Sequence, residues 1–450
     1  MHEPLLSEAH AAIEAGELAG AVALVGRSGE VVQAEVVGTL DAAGQRPMGR
    51  DALFRIASLT KPVTACAALL LHEDGRFALD DPIATVAPEL ATMRVLPHPE
   101  APLDRAEPAR TPLTFRHLLT HTAGLPYADL VTGPVADAYA GLGPHIDNPL
   151  SPDAWLARLG ELPLVSPPGE AFGYGHASDV LGILLARLEG ERLGRVLRRR
   201  IFEPLGMVDT GFTVDPADRA RRVELCGFDA DGERVALQQA PGGHALAERP
   251  ASYTFTSGGQ GLWSTADDYH RFVWGLLRGL ASDRGLLRTE TTRQMLGNQL
   301  TAEQLASARL MGACPFVGHG FGMGLAVVVD PERADPVRGR GGVGTVGWPG
   351  AYGGWWQADP DDDSVLIFLC HAMAGPEQLA EGVAIVLGQT DFEREGKVAL
   401  VGAWPVVEVV AIDTEPGPDP DPPPRPWYRK GWVWGTSVAV AGIVAGSVAA

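Results

Sequence analysis

The chain is poor in cysteine, with only Cys66, Cys226, Cys314 and Cys370 among 450 residues and none in a C-x-x-C pair. That spacing excludes a dense disulfide scaffold and a cysteine-built metal framework. Positive charge is also scarce. Lys and Arg number 36 against 56 Asp and Glu, giving a formal net charge of -20 and a pI near 5.0. No basic surface is available to neutralise phosphates, so nucleic acid is not an expected partner. The segment HLLTH puts His117 and His121 four apart but lacks the glutamate of H-E-x-x-H, so no metal is expected there. G-x-S-x-G is missing, which argues against an α/β-hydrolase. The N-terminus, MHEPLLSEAHAAIEAGELAGAV, has no basic region followed by an unbroken apolar run, so it does not read as a secretory signal. It reads as an amphipathic helix with Leu5, Ala9, Ala12 and Ile13 on one face.

The chain is 46% hydrophobic and 20% charged, which fits a folded protein long enough for one large two-lobed domain or two domains. AGAVALVGRSGEVVQAEVVG alternates and is β-branched around Arg27-Ser28-Gly29-Glu30, the pattern of a hairpin. LFRIASLTKPVTACAALLLHEDG runs strand, loop and helix, and stops at Gly75. From about residue 76 to about 300 the chain is helix-rich, with long Pro/Gly loops. Within this stretch, Ser264 and Asp267 read as a capping box. GFGMGLAVVVD, GTVGWPGAYGGWWQADP and DDSVLIFLCHAM then read as three strands, and PEQLAEGVAIVLGQT as a helix. Asp359 to Asp363 lacks the ligand spacing of a calcium loop and fits a hairpin turn. Strands at both ends with helices between predict an α+β fold. One antiparallel sheet is flanked by terminal helices, with a helical region inserted.

The composition changes near residue 413. Residues 1–392 are expected to form the folded domain and 393–412 a strand-like extension. EPGPDPDPPPRP, within 413–426, is a stiff and solvated linker. Residues 427–450 are a candidate transmembrane segment. They open with Trp427, Tyr428, Arg429 and Lys430, and from Gly431 onward they carry no charge. Twenty helical residues rise roughly 30 Å, the thickness of a hydrocarbon core.

Ser58-Leu59-Thr60-Lys61 is an S-x-x-K at the start of a helix, where residues three apart share a face. The Lys61 amine can therefore reach the Ser58 hydroxyl, which needs a base before it becomes a nucleophile. Further blocks follow in order: TPLTFRHLLTHTAGL, PPGEAFGYGHASDVLGILLARLEG, SGGQGLWSTADDYHRFVWGLL and GTVGWPGAYGGWWQADP. With S-x-x-K, this series resembles the serine β-lactamase-related family, over roughly residues 1 to 390. That family includes class C β-lactamases, D-Ala-D-Ala peptidases and family VIII carboxylesterases, with the esterase-like branch nearest.

The resemblance implies roles. Ser58 is the nucleophile, and Lys61 shares proton transfer with Tyr174 of the second block, Tyr174-Gly175-His176. His176 stands where β-lactamases carry a substrate-contacting asparagine. The third block is Trp348-Pro349-Gly350, with Trp348 in place of the family's cation. The backbone N–H groups of Ser58 and Ala351 form the oxyanion hole, and His176, Trp348 and Gly350 line the substrate site. No cofactor is implied. The expected function is a serine hydrolase acting on a small-molecule ester or amide through an acyl-enzyme. The alternatives are a β-lactamase, a D-Ala-D-Ala peptidase or an acyltransferase and, from another class, a catalytically idle membrane-tethered binding module.

The tail predicts a location. Arg425, Arg429 and Lys430 precede the uncharged stretch and no cation follows it, so the positive-inside rule leaves the catalytic domain cytoplasmic on a C-terminal anchor. The full chain should pellet with membranes and resist carbonate extraction, while a chain ending near Asp413 stays soluble and equally active. Full-length protein that stays soluble without detergent refutes the anchor.

Overall fold

The computed structural model describes residues 7–229, 233–237, 249–250, 252–309, 315–334, 342–373, 390–392 and 398–400. Helix α1 (Ser7–Glu14) leads into a hairpin of β1 (Gly20–Arg27) and β2 (Glu30–Gly38). The two turn residues, Ser28 and Gly29, both have positive φ. That is the turn whose twist suits a two-residue hairpin. The remaining strands of the main sheet come from the far end of the chain. They are β3 (His319–Phe321), β4 (Ala326–Val328), β5 (Val346–Pro349), β6 (Trp355–Asp359) and β7 (Ser364–Cys370). The order β2-β1-β7-β6-β5-β4-β3 is antiparallel throughout.

Two of the three expected terminal strands are therefore hairpins in their own right. GFGMGLAVVVD folds back between Phe321 and Ala326, with Gly324 at a φ of +85°. GTVGWPGAYGGWWQADP folds back at 350–354, with Gly353 at +86°. Their glycines supply the backbone freedom that the turns require.

The apolar run of β7 is explained by burial on both faces. Val365, Ile367 and Leu369 join the main core, while Leu366, Phe368 and Cys370 pack with Ala9 and Ala12 of α1. Successive side chains of a strand point to opposite faces, so a strand covered on both sides reads as unbroken hydrophobicity. Each such side chain contributes roughly 2 kcal/mol as an upper figure. At the sheet's edge β2 alternates instead, and Val32 and Val36 face outward.

The inserted region holds three helices that matter for the site. Helix α2 (Thr60–Glu73) is buried almost all round, as its sequence TKPVTACAALLLHE implies. Pro62 is tolerated because the first turn of a helix has no intrahelical use for its N–H. The helix stops at Asp74, and Gly75 follows with φ +72°. Helix α3 spans Ala177–Glu189 and α4 spans Ala266–Ala281. The cap of α4 lies one residue later than the sequence suggested. Thr265 accepts from the Asp268 N–H, while Ser264 sits in a short strand and bonds Thr210.

His117 and His121, four apart in the sequence, do not share a helix. The helix Phe115–Leu119 ends first, and His121 has a φ of +54°. His117 serves instead as an N-terminal cap partner of Thr114. Among the described residues no group of three or more His, Cys, Asp or Glu is placed to hold a metal ion. Asp359 to Asp363 forms the turn between β6 and β7, and Asp362 pairs with Arg27. Thr390–Phe392 and Val398–Leu400 pair antiparallel across the expected boundary at residue 392. The helix read at PEQLAEGVAIVLGQT falls almost wholly outside the described residues. The linker and the candidate transmembrane segment at 427–450 lie entirely outside them. Among the described residues no helix is long and apolar enough to cross a membrane.

Candidate active site

A short strand, Phe54–Arg55, delivers the chain to a 3-10 turn at Ala57–Leu59, and α2 begins at the next residue. Ala57 holds a φ of +45°. A side-chain-bearing residue costs about 1 kcal/mol or more in that region, so the surrounding packing must enforce it. The restraints are visible. The Ile56 N–H donates to Leu262 O at 3.0 Å, Leu262 N–H to Thr60 Oγ1 at 3.2 Å, and Tyr269 OH to Leu59 O at 2.8 Å. The turn runs straight into α2, so Ser58 and Lys61, three residues apart, lie on one face and their side chains meet.

Lys61 has no exposed surface. Its Nζ donates to Ser58 Oγ at 3.1 Å, to Gly259 O at 3.0 Å and to Tyr127 OH at 3.3 Å. It also lies 4.6 Å from the Tyr174 ring centroid and 5.3 Å from that of Tyr127. Tyr174 OH donates to Ser58 Oγ at 2.9 Å, and the Trp348 indole Nε1–H donates to Tyr174 OH at 3.3 Å. Ser58, Lys61, Tyr174 and Trp348 thus form one connected set.

Backbone proximity explains the intervening residues. The segment 121–127 runs beside 173–176, with Gly173 N–H on His121 O at 2.8 Å and His176 N–H on Leu125 O at 3.0 Å. A Cβ on Gly175 would lie 2.0 Å from Leu125 O, so only glycine fits between Tyr174 and His176. The same pairing carries Tyr127 to Lys61. At the third block, a Cβ on Gly350 would lie 2.8 Å from Ile56 O. Gly350 therefore lets the 350–354 turn press against the backbone that bears Ser58. Its contact is with the protein chain, and it brings Ala351 into one apolar cluster with Ala57.

His176 has surroundings that do not suit the expected substrate contact. It is buried among Tyr127, Tyr139, His145 and Trp155. Its Nδ1 faces Asp179 Oδ2 at 3.1 Å. A carboxylate only accepts, so Nδ1 carries the proton, and the carboxylate draws the ring inward behind Tyr127.

Three neighbours escaped sequence reasoning. Tyr127 is the first, and burial pushes its phenol well above the ordinary value, with the Asp179 and Tyr174 charges adding to the shift. It therefore stays a neutral hydroxyl. His121 is the second. Burial, and then the charge of Lys61, lower its pKa to about 3, so the ring is neutral where it packs 5.1 Å from Tyr174. Asp179 is the third. An acid three residues after a histidine on an otherwise apolar helix was a signal that could have exposed it. The Gly259 carbonyl, in the segment 257–261, meets Lys61 Nζ at 3.0 Å.

The close approach at residue 350 predicts that Gly350→Ala separates the third block from Ser58. The variant should fold, yet lose about 100-fold in turnover, because small misplacements at a reacting centre are costly. Turnover within twofold of the parent would show that the approach is not needed.

The chain is 43% identical over 382 residues to Protein Rv1367c of Mycobacterium tuberculosis, covering 85% of this chain and 92% of that one. It is 34% identical over 389 residues to Esterase EstB of Burkholderia gladioli, covering 82% and 91%. The solved structure of EstCE1, a hydrolase with promiscuous acyltransferase activity, superposes with a TM-score of 0.68 at 28% identity, covering 82% of this chain and 93% of that one. The Beta-lactamase family profile matches residues 8–389, and the chain belongs to that family.

Proposed function

We propose that the chain is a serine hydrolase that cleaves small carboxylic esters through an acyl-enzyme. One observation carries the reading: Lys61 Nζ and Tyr174 OH both lie within hydrogen-bond reach of Ser58 Oγ, at 3.1 and 2.9 Å. In the proposed reaction Ser58 Oγ attacks the ester carbonyl carbon and its proton passes to the Lys61 amine. The carbonyl oxygen becomes an oxyanion held by the N–H groups of Ser58 and Ala351, at about 3 kcal/mol for each donor. Tyr174 OH protonates the departing alkoxide and recovers its proton from Lys61. The C–O bond to the alcohol breaks and the acyl group stays on Ser58. Water then attacks the acyl carbon and gives its proton to the same pair, the bond from that carbon to Ser58 Oγ breaks, the pair returns the proton to Ser58 Oγ, and the acid leaves. The Trp348 indole steadies the Tyr174 oxygen as it loses its proton.

Esters are favoured over β-lactams because Trp348, which carries no charge, stands at the third block. A penicillin carboxylate would find no cation there. The likeness to Esterase EstB supports the same preference. Acyl transfer is a second reading, supported by the acyltransferase activity that the EstCE1 structure describes. It needs only an alcohol in place of water.

Three measurements test this. A fluorophosphonate should leave one adduct, on Ser58, and Ser58→Ala should fold normally and take none. An adduct elsewhere sinks the mechanism. Short p-nitrophenyl esters should turn over faster than nitrocefin, and the reverse order would overturn the ester assignment. Lys61→Ala and Tyr174→Phe should each lower kcat at least ~100-fold. The double variant should lose little more than either alone, because the two groups act as a unit. Losses that simply multiply count against a shared proton path.

A further inference from the structure

The second block carries a buried acid that the proton path does not use. Asp179 is 0% exposed and sits in the first turn of α3. Its Oδ1 accepts from Ser257 Oγ at 2.6 Å and from Gly259 N–H at 3.0 Å, and its Oδ2 accepts from His176 Nδ1 at 3.1 Å. None of these partners is Ser58, Lys61 or Tyr174. A carboxylate taken out of water must be repaid by such bonds, or it would destabilise the fold.

These bonds fix two consecutive peptide planes. The Gly258–Gly259 peptide is held by Asp179 at its N–H and by Thr64 Oγ1, 2.7 Å from Gly258 O, at its carbonyl. The Gly259–Gln260 peptide is held by Ser257 Oγ, 3.0 Å from Gln260 N, and its carbonyl is the one that meets Lys61 Nζ at 3.0 Å. Both glycines are required by space. A Cβ on Gly258 would lie 2.4 Å from Ser178 O, and one on Gly259 2.9 Å from Tyr127 OH. Two successive glycines are the freest backbone in the chain. They hold one orientation here because Asp179 and Thr64 clamp them.

The orientation matters for the lysine. A neutral amine has two N–H bonds and one lone pair. A carbonyl oxygen can only accept, so Gly259 O occupies one N–H and turns it away from Ser58. With a second N–H on Tyr127 OH, the third position on Nζ faces Ser58 Oγ: it donates to the serine while the amine carries three protons and presents the lone pair in the neutral form that the reaction uses. A rotated Gly259 peptide would free the amine to turn and direct an N–H at the serine instead.

We propose that Asp179 is a positioning residue: braced by His176, it holds the Gly259 carbonyl on Lys61 and so aims the lysine lone pair at Ser58. The inference rests on the serine hydrolase reading and extends it to a residue that never touches substrate. It also gives His176 a part in the site, as the brace for Asp179 in the second block.

The test is turnover per active site, with sites counted by fluorophosphonate titration of the full-length protein. A role in folding alone would reduce the number of titratable sites and the melting temperature, and leave kcat per titrated site unchanged. Asp179→Ala is expected to lower kcat per site by about 100-fold, with KM within about threefold, because the reacting groups are misaimed while the substrate pocket is intact. Asp179→Asn should recover to within about tenfold of the parent, since its amide oxygen still accepts from Ser257 and Gly259 and His176 can switch tautomer. Ser257→Ala removes one clamp and should cost about tenfold. It carries the test together with Asp179→Asn if Asp179→Ala does not fold. Parent-like kcat per site in Asp179→Ala, or in both other variants, would overturn the inference alone. A parent enzyme that takes no label on Ser58 would overturn the hydrolase reading and this inference with it.

Discussion

An amine with no exposed surface must place its hydrogen bonds on atoms that the fold provides, and Lys61 is such an amine. Its partners are a serine hydroxyl, a tyrosine hydroxyl and a backbone carbonyl, and none of them is a carboxylate. The buried acid Asp179 meets the Gly259 backbone that Lys61 also touches, and its oxygens are occupied by other donors. Much of the site's architecture follows from supplying neutral oxygens to one lysine.

That supply depends on backbones approaching more closely than side chains permit. Gly175, Gly258 and Gly350 each stand where a Cβ would meet a carbonyl oxygen at 2.0 to 2.8 Å. The three contacts join the tyrosine-bearing loop to segment 121–127, the lysine-binding loop to α3, and the third block to the turn that carries Ser58. The strained φ of Ala57 belongs to the same set. It turns the chain sharply between the short strand and α2, and the bonds from Leu262 and Tyr269 hold it there. Local strain of this kind persists only where several restraints agree.

The rest of the fold serves as a rigid frame. The sheet is buried on both faces in its central strands, with the main core on one side and α1 on the other. Trp348 leaves that sheet at β5 and reaches Tyr174, so the indole is placed by a strand and not by a loop. Lys61 is placed by a helix buried almost all round, and Ser58 by the 3-10 turn that leads into it. Sites mounted on such elements hold their geometry more tightly than sites on loops.

The sequence by itself determined the antiparallel sheet from its two ends and the first hairpin from its β-branched alternation and its Ser28-Gly29 turn. It also determined that Lys61 reaches Ser58. These follow from local periodicity and from one motif of fixed spacing, which act over a few residues; that Tyr174 and Trp348 join the pair was implied by the family resemblance. It read two terminal hairpins as single strands, because a glycine inside a strand pattern and a glycine at a turn look alike along the chain. Only the tertiary structure decided what lies across the site from these motifs. Tyr127 reaches Lys61 from 66 residues away and Gly259 from 198, pairings that no local pattern encodes. The inward turn of His176 was decided in the same way. Its direction is set by a buried carboxylate three residues on, and that carboxylate is held in turn by a loop 78 residues further along the chain.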